Sequence, residues 1–330
     1  MANRQIVLDQ HPQGPLSPEH FRLTEVERPC PGDGEVLLKA RYFSVDAGMR
    51  ARMQGGTYLA PLTPGQVIPG VGLAEVVESR AAVLRPGDLV IAPMGWQEYA
   101  ALPAEGVSRP PSLTPETHLL SVFGVPGLTA YFGMLECGQP NPGETVVVSA
   151  AAGAVGSIVS QIAKLKGCRV VGVAGGPDKV AWLTGELGLD AAVDYKSPEF
   201  MGQLAAAVPK GIDLYFDNVG GEVFEACLAQ MGSLGRIVCC GSVSQYDRDA
   251  PGPGPRGVPR LFVTKQLTMR GFVVYAFEDR YAEALAELQA WVASGKIKVQ
   301  EEVIDGLENL PKALVSVLRG KSRGKWMVRV

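Results

Sequence analysis

Two glycines, Gly153 and Gly156 in the run AAAGAVGS, are the residues whose type and spacing most clearly imply chemistry. Before them stands the β-branched run TVVVS (145–149), and after them IVSQIAKLKG (158–167), with apolar residues at helical period. Strand, tight turn and helix in that order turn backbone N–H groups toward an anion. The missing side chains then let a pyrophosphate approach. The turn Gly153, Ala154, Val155, Gly156 opens on alanines and so departs from G-x-G-x-x-G, but its context supports a dinucleotide site. The alternative is that these glycines only allow close helix–strand packing.

The next strand bears on which dinucleotide. An NAD site carries an Asp or Glu about twenty residues beyond the turn, on the ribose 2′-OH. Here CRVVGVAG (168–175) ends in Gly175 and Gly176 with no carboxylate at its tip. Lys179 follows, and Tyr195 ends the strand after that. A missing carboxylate removes repulsion toward a 2′-phosphate, and a lysine adds a charge-assisted hydrogen bond worth roughly 1.5–3 kcal/mol. These residues favour NADP(H). Asp178 argues the other way unless it points outward or serves as a helix N-terminal acid. Lys179 reads equally as an ordinary solvated helix lysine.

The elements that must position these residues fall into two textures. Residues 1–120 hold short β-rich runs (EVLLKARYFSV, LAEVVES, DLVIAP) between Pro/Gly turns, which predicts a compact all-β, barrel-like region. Residues 121–296 alternate strands and helices. After the opening unit come CRVVGVAG, DKVAWLTGEL, AAVDY, SPEFMGQLAAAV, IDLYFDNVG, EVFEACLAQM, GRIVCCGSV, LTMRGFVVY and EDRYAEALAELQAWVASG. Apolar strands in repeated βα units predict a parallel sheet covered on both faces. The fold class is therefore α/β, a doubly wound parallel sheet with a β-rich region that residues 297–330, ending in GKWMVRV, return to complete. The run DRDAPGPGPRGVPR (247–260) reads as a loop, its prolines and glycines excluding a helix or central strand.

Composition removes other classes. A net charge of −3, without a basic patch interleaved with aromatics, argues against nucleic acid or an anionic membrane as partner. The N-terminus MANRQIVLDQHPQGP has no apolar segment of the secretory kind, so a soluble cytoplasmic protein is expected. Cys30, Cys137, Cys168, Cys227, Cys239 and Cys240 include no C-x-x-C pair, and His11, His20 and His118 show no two-ligand spacing. No metal site is expected, and the adjacent Cys239 and Cys240 read as buried free thiols.

Across most of the chain, ordered motifs carry a resemblance: FSVDAGMRARM, PLTPGQVIPGVG, GWQEY, GVPGLTAYFGMLE, AAAGAVGSIVSQIAKLKGC, YFDNVGG, CGSVSQY and RGFVVY. The chain resembles the medium-chain dehydrogenase/reductase family, in its zinc-independent, NADP-dependent alkenal/enone reductase branch. The resemblance implies a GroES-like catalytic domain, a Rossmann domain and a substrate cleft between them, in a homodimer. It puts Lys179 and Tyr195 at the adenosine ribose-phosphate and Asn218 beside the nicotinamide ribose. Cys240, Gly241, Ser242 and Tyr246 fall on the segment passing the nicotinamide, and Phe272, Val273 and Val274 on the next wall. Ser322 stands where the family commonly has an asparagine at the cofactor. Ala47 and Gly48 replace the usual Pro and Tyr, which implies a smaller wall on that side of the substrate pocket.

The implied reaction is NADPH-dependent reduction of the C=C bond of an α,β-unsaturated aldehyde or ketone, of alkenal, enone or oxo-prostaglandin type. Tyr246 is the expected catalytic residue, its phenol O–H donating to a developing enolate oxygen; otherwise it is a partly exposed loop tyrosine. An NADPH:quinone oxidoreductase and a non-catalytic NADPH-binding protein are the alternatives.

Overall fold

The computed structural model describes residues 2–53, 60–247 and 254–330. The chain begins with strands β1 (Ala2–Leu8), β2 (Phe21–Glu27), β3 (Glu35–Ser44), β4 (Gly72–Ser79), β5 (Leu89–Ala92) and β6 (Tyr99–Pro103). Helix α1 (Val125–Phe132) opens an alternating series: β7 (Thr145–Ser149), α2 (Ala154–Leu165), β8 (Arg169–Ala174), α3 (Pro177–Gly185), β9 (Ala191–Asp194) and α4 (Phe200–Ala207). It continues with β10 (Ile212–Asp217), α5 (Gly221–Ala229), β11 (Met231–Cys239), α6 (Val258–Lys265), β12 (Thr268–Gly271) and α7 (Tyr281–Ala293). Strand β13 (Glu301–Asp305), helix α8 (Leu310–Leu318) and strand β14 (Lys325–Arg329) follow.

Two compact units result. One comprises the residues up to Leu120 with Glu301–Lys321 and Lys325–Val330; the other comprises Ser121–Gln300 and Ser322–Gly324. In the first unit, β3 is the hub of a sheet ordered β13-β14-β3-β4-β5, and it also pairs with β6. Its register against β4 shifts between Leu37 and Leu38 and again between Ala40 and Tyr42. Strand β14 pairs antiparallel with the end of β3, Met327 opposite Ser44. Lys325, 2% exposed, ties that strand to the turn after β3. Its ammonium donates to the Val45 carbonyl at 2.8 Å and to Asp46 at 2.5 Å. The 3-10 helix Ala47–Met53 follows directly.

The second unit is a six-stranded sheet ordered β12-β11-β10-β7-β8-β9, every pair parallel. Its central strand explains the apolar run: Val146, Val147 and Val148 are all fully buried, because helices cover both faces. Each such side chain contributes about 1.5–3 kcal/mol of burial. Strand β7 neighbours β8 on one side and β10 on the other, so the winding reverses there. Ligands of doubly wound sheets bind at such a switch point, outside the carboxyl ends of the strands. The expected α/β class, a doubly wound parallel sheet with a separate β-rich unit, is the observed one.

Some expectations need correction. The run 247–260 is not loop throughout: helix α6 begins at Val258, with Pro259 in its first turn, where a missing N–H costs nothing. Residues 248–253 of that run lie outside the described residues. The strand expected over 267–275 stops at Gly271, because β12 is an edge strand that pairs with β11 over four residues. Val274–Arg280 then forms 3-10 turns, and α7 starts at Tyr281. Sequence patterning assigned no helix to 125–138, yet α1 runs there and widens into a π-helical turn, Gly133–Gly138. Its glycines disguise it but serve packing. A Cβ on Gly127 would sit 1.7 Å from the Val122 carbonyl, and one on Gly133 2.5 Å from the Phe272 ring.

Candidate active site

At the carboxyl end of β7 the chain turns sharply through Ala150, whose φ of +48° is left-handed and uncommon for a residue with a Cβ. The turn closes with the Gly153 N–H donating to the Ala150 carbonyl at 2.9 Å, and α2 begins. Gly153 is its N-cap, and among the described residues no side chain caps it. The first-turn amides therefore have no intrahelical acceptor and face outward, as an anion requires. Gly156 does different work: a Cβ there would lie 2.3 Å from the Ala150 carbonyl oxygen, so its hydrogen lets α2 sit against the turn. The packing explanation thus holds for Gly156. At Gly153 a Cβ would meet the same oxygen at 3.2 Å, a tight but less severe contact.

A cationic group gathers on the β8–β9 side. At Gly175 a Cβ would come within 2.8 Å of the Tyr195 ring and 2.9 Å of the Lys196 side chain, so both would have to move to admit one. Asp194 accepts from the backbone N–H of Gly176 and of Lys196, both at 2.9 Å. Asp178 is exposed in the first turn of α3. Lys179, half-buried, donates to the Ser322 carbonyl at 2.5 Å, so Ser322 enters through its backbone. Segment 322–324 lies along the turn, its Gly324 N–H bonded to the Ala152 carbonyl at 2.8 Å. Arg323 stands 5.5 Å over the Trp182 ring, and Lys196 lies 5.9 Å from the centre of the Tyr195 ring.

Burial lowers the Lys179 pKa from the ordinary lysine value, and the Lys196 and Arg323 charges lower it further. Three like charges converge here, an arrangement that an added phosphate dianion would relieve. Sequence reasoning named Lys179, Tyr195 and Ser322 but missed Lys196 and Arg323, whose only signal was adjacency to Tyr195 and Ser322.

On the other side of β7, the ends of β10 and β11 carry the second group. Asn218 donates its side-chain amide to the Ser149 carbonyl at 2.7 Å, and its backbone N–H to the Ser149 hydroxyl at 2.9 Å. The Cys240 and Gly241 N–H groups reach the Asp217 carbonyl at 2.8 and 3.2 Å. Burial, with neighbouring Asp217, Cys137 and Cys239 adding to it, pushes the Cys240 thiol up to about 12, so it is inert near neutral pH. A single 3-10 turn, Val243–Gln245, brings Tyr246 back over its own start. Its hydroxyl accepts a long contact from the Ser242 N–H at 3.5 Å. It also lies 3.5 Å from where a Gly241 Cβ would project. Gly241, Ser242 and Tyr246 therefore share one small surface.

Beyond β12, Phe272 turns inward, 6.5 Å from both Phe216 and Phe277, and Val274 is buried, whereas Val273 is 38% exposed. The site residues thus form two groups flanking the turn at 150–156, with the cations on one side and Asn218 and Tyr246 on the other. Among the described residues, no three His, Cys, Asp or Glu side chains gather as metal ligands would.

Residues 4–109 match the family described as the N-terminal domain of oxidoreductase, and residues 154–290 the family described as zinc-binding dehydrogenase. The NADPH-dependent curcumin reductase of Escherichia coli is 43% identical, covering 99% of this chain and 97% of that protein. Prostaglandin reductase 1 of Bos taurus is 44% identical, covering 98% and 97%. The crystal structure of CurA in complex with NADPH from Vibrio vulnificus superposes with a TM-score of 0.95 at 41% identity, covering 99% of each chain. A doubly wound sheet with this turn is a dinucleotide-binding architecture, and the two matched families are described as oxidoreductase and dehydrogenase. The chain belongs to the medium-chain dehydrogenase/reductase family.

Proposed function

We propose that this protein is an NADPH-dependent reductase of the C=C bond of α,β-unsaturated aldehydes and ketones. The observation that carries the reading is full-length similarity above 40% identity to reductases named for curcumin and for prostaglandins. The residues fit the cofactor. The uncapped first turn of α2 suits the pyrophosphate, and Lys179, Lys196 and Arg323 suit the 2′-phosphate that separates NADPH from NADH. Asn218, Gly241, Ser242 and the wall at Phe272–Val274 suit the nicotinamide half.

When bound, NADPH supplies the hydride that adds to the substrate β-carbon. Tyr246 donates its phenol proton in a hydrogen bond to the carbonyl oxygen, where negative charge grows as the enolate forms. The α-carbon then takes a proton from solvent. Ala47 and Gly48 sit in the 3-10 helix after β3, and a Cβ at Gly48 would meet nothing within 4 Å among the described residues. The small side chains at these two positions support a smaller wall on that side of the substrate pocket.

In the same reading, residues 121–296 are the NADP-binding domain and the β-rich region the catalytic one. The enzyme is a cytoplasmic homodimer. Among the described residues no helix is long and apolar enough to cross a membrane. The sheet edge β12 leaves all four residues exposed, Met269 by 49%, which suits pairing with a second copy. Sedimentation at micromolar concentration tests the dimer.

NADPH oxidation is measured with alkenals, enones, oxo-lipids and quinones. Turnover of the enones and alkenals is expected, and Tyr246→Phe should lower kcat/KM about 10²-fold or more. Undiminished kcat/KM removes Tyr246 from the mechanism. Turnover of quinones alone favours a quinone reductase, and NADPH binding without any turnover favours a non-catalytic protein.

A further inference from the structure

One buried carboxylate stands behind the nicotinamide-side residues without touching the surface. Asp217, at the end of β10, is 3% exposed. Its Oδ1 accepts from the Tyr215 hydroxyl at 2.6 Å, the Ser149 hydroxyl at 2.9 Å, the Val219 N–H at 3.0 Å and the Gly220 N–H at 3.1 Å. Oδ2 accepts from the Gly220 N–H at 3.1 Å. Those donors are neutral, so fixed dipoles hold the side chain in place.

Its reach covers three strands. Through Ser149 it is joined to the end of β7, and that same hydroxyl accepts the Asn218 N–H at 2.9 Å. Through Val219 and Gly220 it shapes the turn into α5, where Gly220 has a φ of +69°. Its backbone carbonyl takes the Cys240 and Gly241 amides. The Val219 carbonyl in turn accepts both the hydroxyl and the N–H of Ser244, at 2.6 and 3.1 Å. The strand ends carrying Asn218, Gly241, Ser242 and Tyr246 are therefore tied to one residue, through its carboxylate on the Ser149 and Val219–Gly220 side and through its backbone carbonyl on the 240–241 side.

We propose that Asp217 is a positioning residue for the nicotinamide half of the site. It sets the register of Asn218 against the 240–246 segment while leaving the adenosine end alone. The inference rests on the NADPH-dependent reading above. The cationic group at Lys179 hangs instead on Asp194 and segment 322–324, so the two halves of the site have separate supports.

Asp217→Asn keeps the shape but replaces an acceptor oxygen with an NH2 donor that must face other donors. Three quantities are measured for the full-length protein: kcat with an enone, the Kd for NADPH, and the Kd for adenosine 2′,5′-bisphosphate, which fills only the adenosine end. Asp217→Asn should lower kcat about tenfold or more and weaken NADPH, since small displacements of positioning groups cost that much. The bisphosphate Kd should stay within about twofold. Ser149→Ala, the milder variant, should lower kcat about threefold or more with the same split, and it decides the matter if Asp217→Asn does not fold. An unchanged kcat and NADPH Kd overturns the inference, and so does bisphosphate binding that falls in step with them. A wild-type protein that ignores enones overturns the substrate reading alone, because the split between NADPH and bisphosphate affinities still reports on Asp217.

Discussion

Replacing Lys179 with methionine removes one charge and keeps most of the side-chain stem, so it isolates what the cationic group does. A charge-assisted hydrogen bond to phosphate is worth about 1.5–3 kcal/mol. In the free protein, burial first, and then Lys196 and Arg323, already disfavour the charged form of Lys179, which lowers its pKa. That repulsion is present with and without ligand and bears on the stability of the free protein, but the bond from Lys179 to the Ser322 carbonyl competes with a phosphate, so part of the bond's worth is already realised before binding. The net effect belongs in the lower half of the range, about 1.5–2 kcal/mol, or roughly ten- to thirtyfold in the Kd for NADPH.

NADH lacks the 2′-phosphate and should bind the variant within about twofold of the wild type, so the NADPH-to-NADH preference carries the test. Titration by nicotinamide fluorescence measures both. The pH dependence has a definite sign. In the free protein the charged lysine is destabilising at neutral pH. That penalty fades as pH rises through its lowered folded value toward the ordinary value of about 10.4. NADPH affinity of the wild type should accordingly fall with rising pH across that window, and the variant should be flatter. Losing the bond to the Ser322 carbonyl opposes the relieved repulsion, so the melting temperature of the free variant should move by no more than about 3 °C. Equal weakening of NADPH and NADH would refute the assignment of the 2′-phosphate to this group.

Gly156→Ala should destabilise the protein by about 1–3 kcal/mol. The new Cβ would lie 2.3 Å from the Ala150 carbonyl oxygen and 2.9 Å from Ala151 Cα, backbone that cannot step aside. Thermal denaturation reads this as a drop of about 2–4 °C per kcal/mol, and an unshifted curve refutes the close packing. Phe132→Ala should cost about 3–5 kcal/mol, because the ring is fully buried, stacked on Phe277 at 4.7 Å and edge-on to Tyr131 at 5.2 Å. The urea midpoint should fall, far less so for Phe132→Leu. Iodoacetamide at mildly alkaline pH should label exposed Cys30 in the native protein and all six cysteines once it is denatured. Burial pushes the Cys168 and Cys239 thiols up to about 11 and Cys240 to about 12, leaving little thiolate to react. Labelling of Cys240 in the native state, read by mass spectrometry, would contradict that.

The strand–turn–helix at 145–167, the parallel α/β class and the acid-free tip of β8 were legible in the sequence. Each is written in near neighbours, as a β-branched run, a helical period or a glycine pair, and burial enforces those patterns locally. Helix α1 was not legible, since Pro126, Gly127 and Gly133 read as breakers until the close contacts that require the glycines are seen. The start of α6 at Val258 was hidden in the same way by the prolines around it.

The site divides along the same line. Lys179 and Tyr195 could be named from their places after strands, but only the fold brings Lys179 to the Ser322 carbonyl, 143 positions away, with Arg323 beside it. Likewise Asp217 passed as one letter of FDNVGG, because its partner Ser149 lies 68 positions earlier. A parallel sheet delivers every carboxyl end to one edge, whatever the separation along the chain. The sequence by itself therefore determined the strands and the turn whose free amides suit an anion. Which distant side chains meet there, and which carboxylate holds them, was decided by the order of the strands.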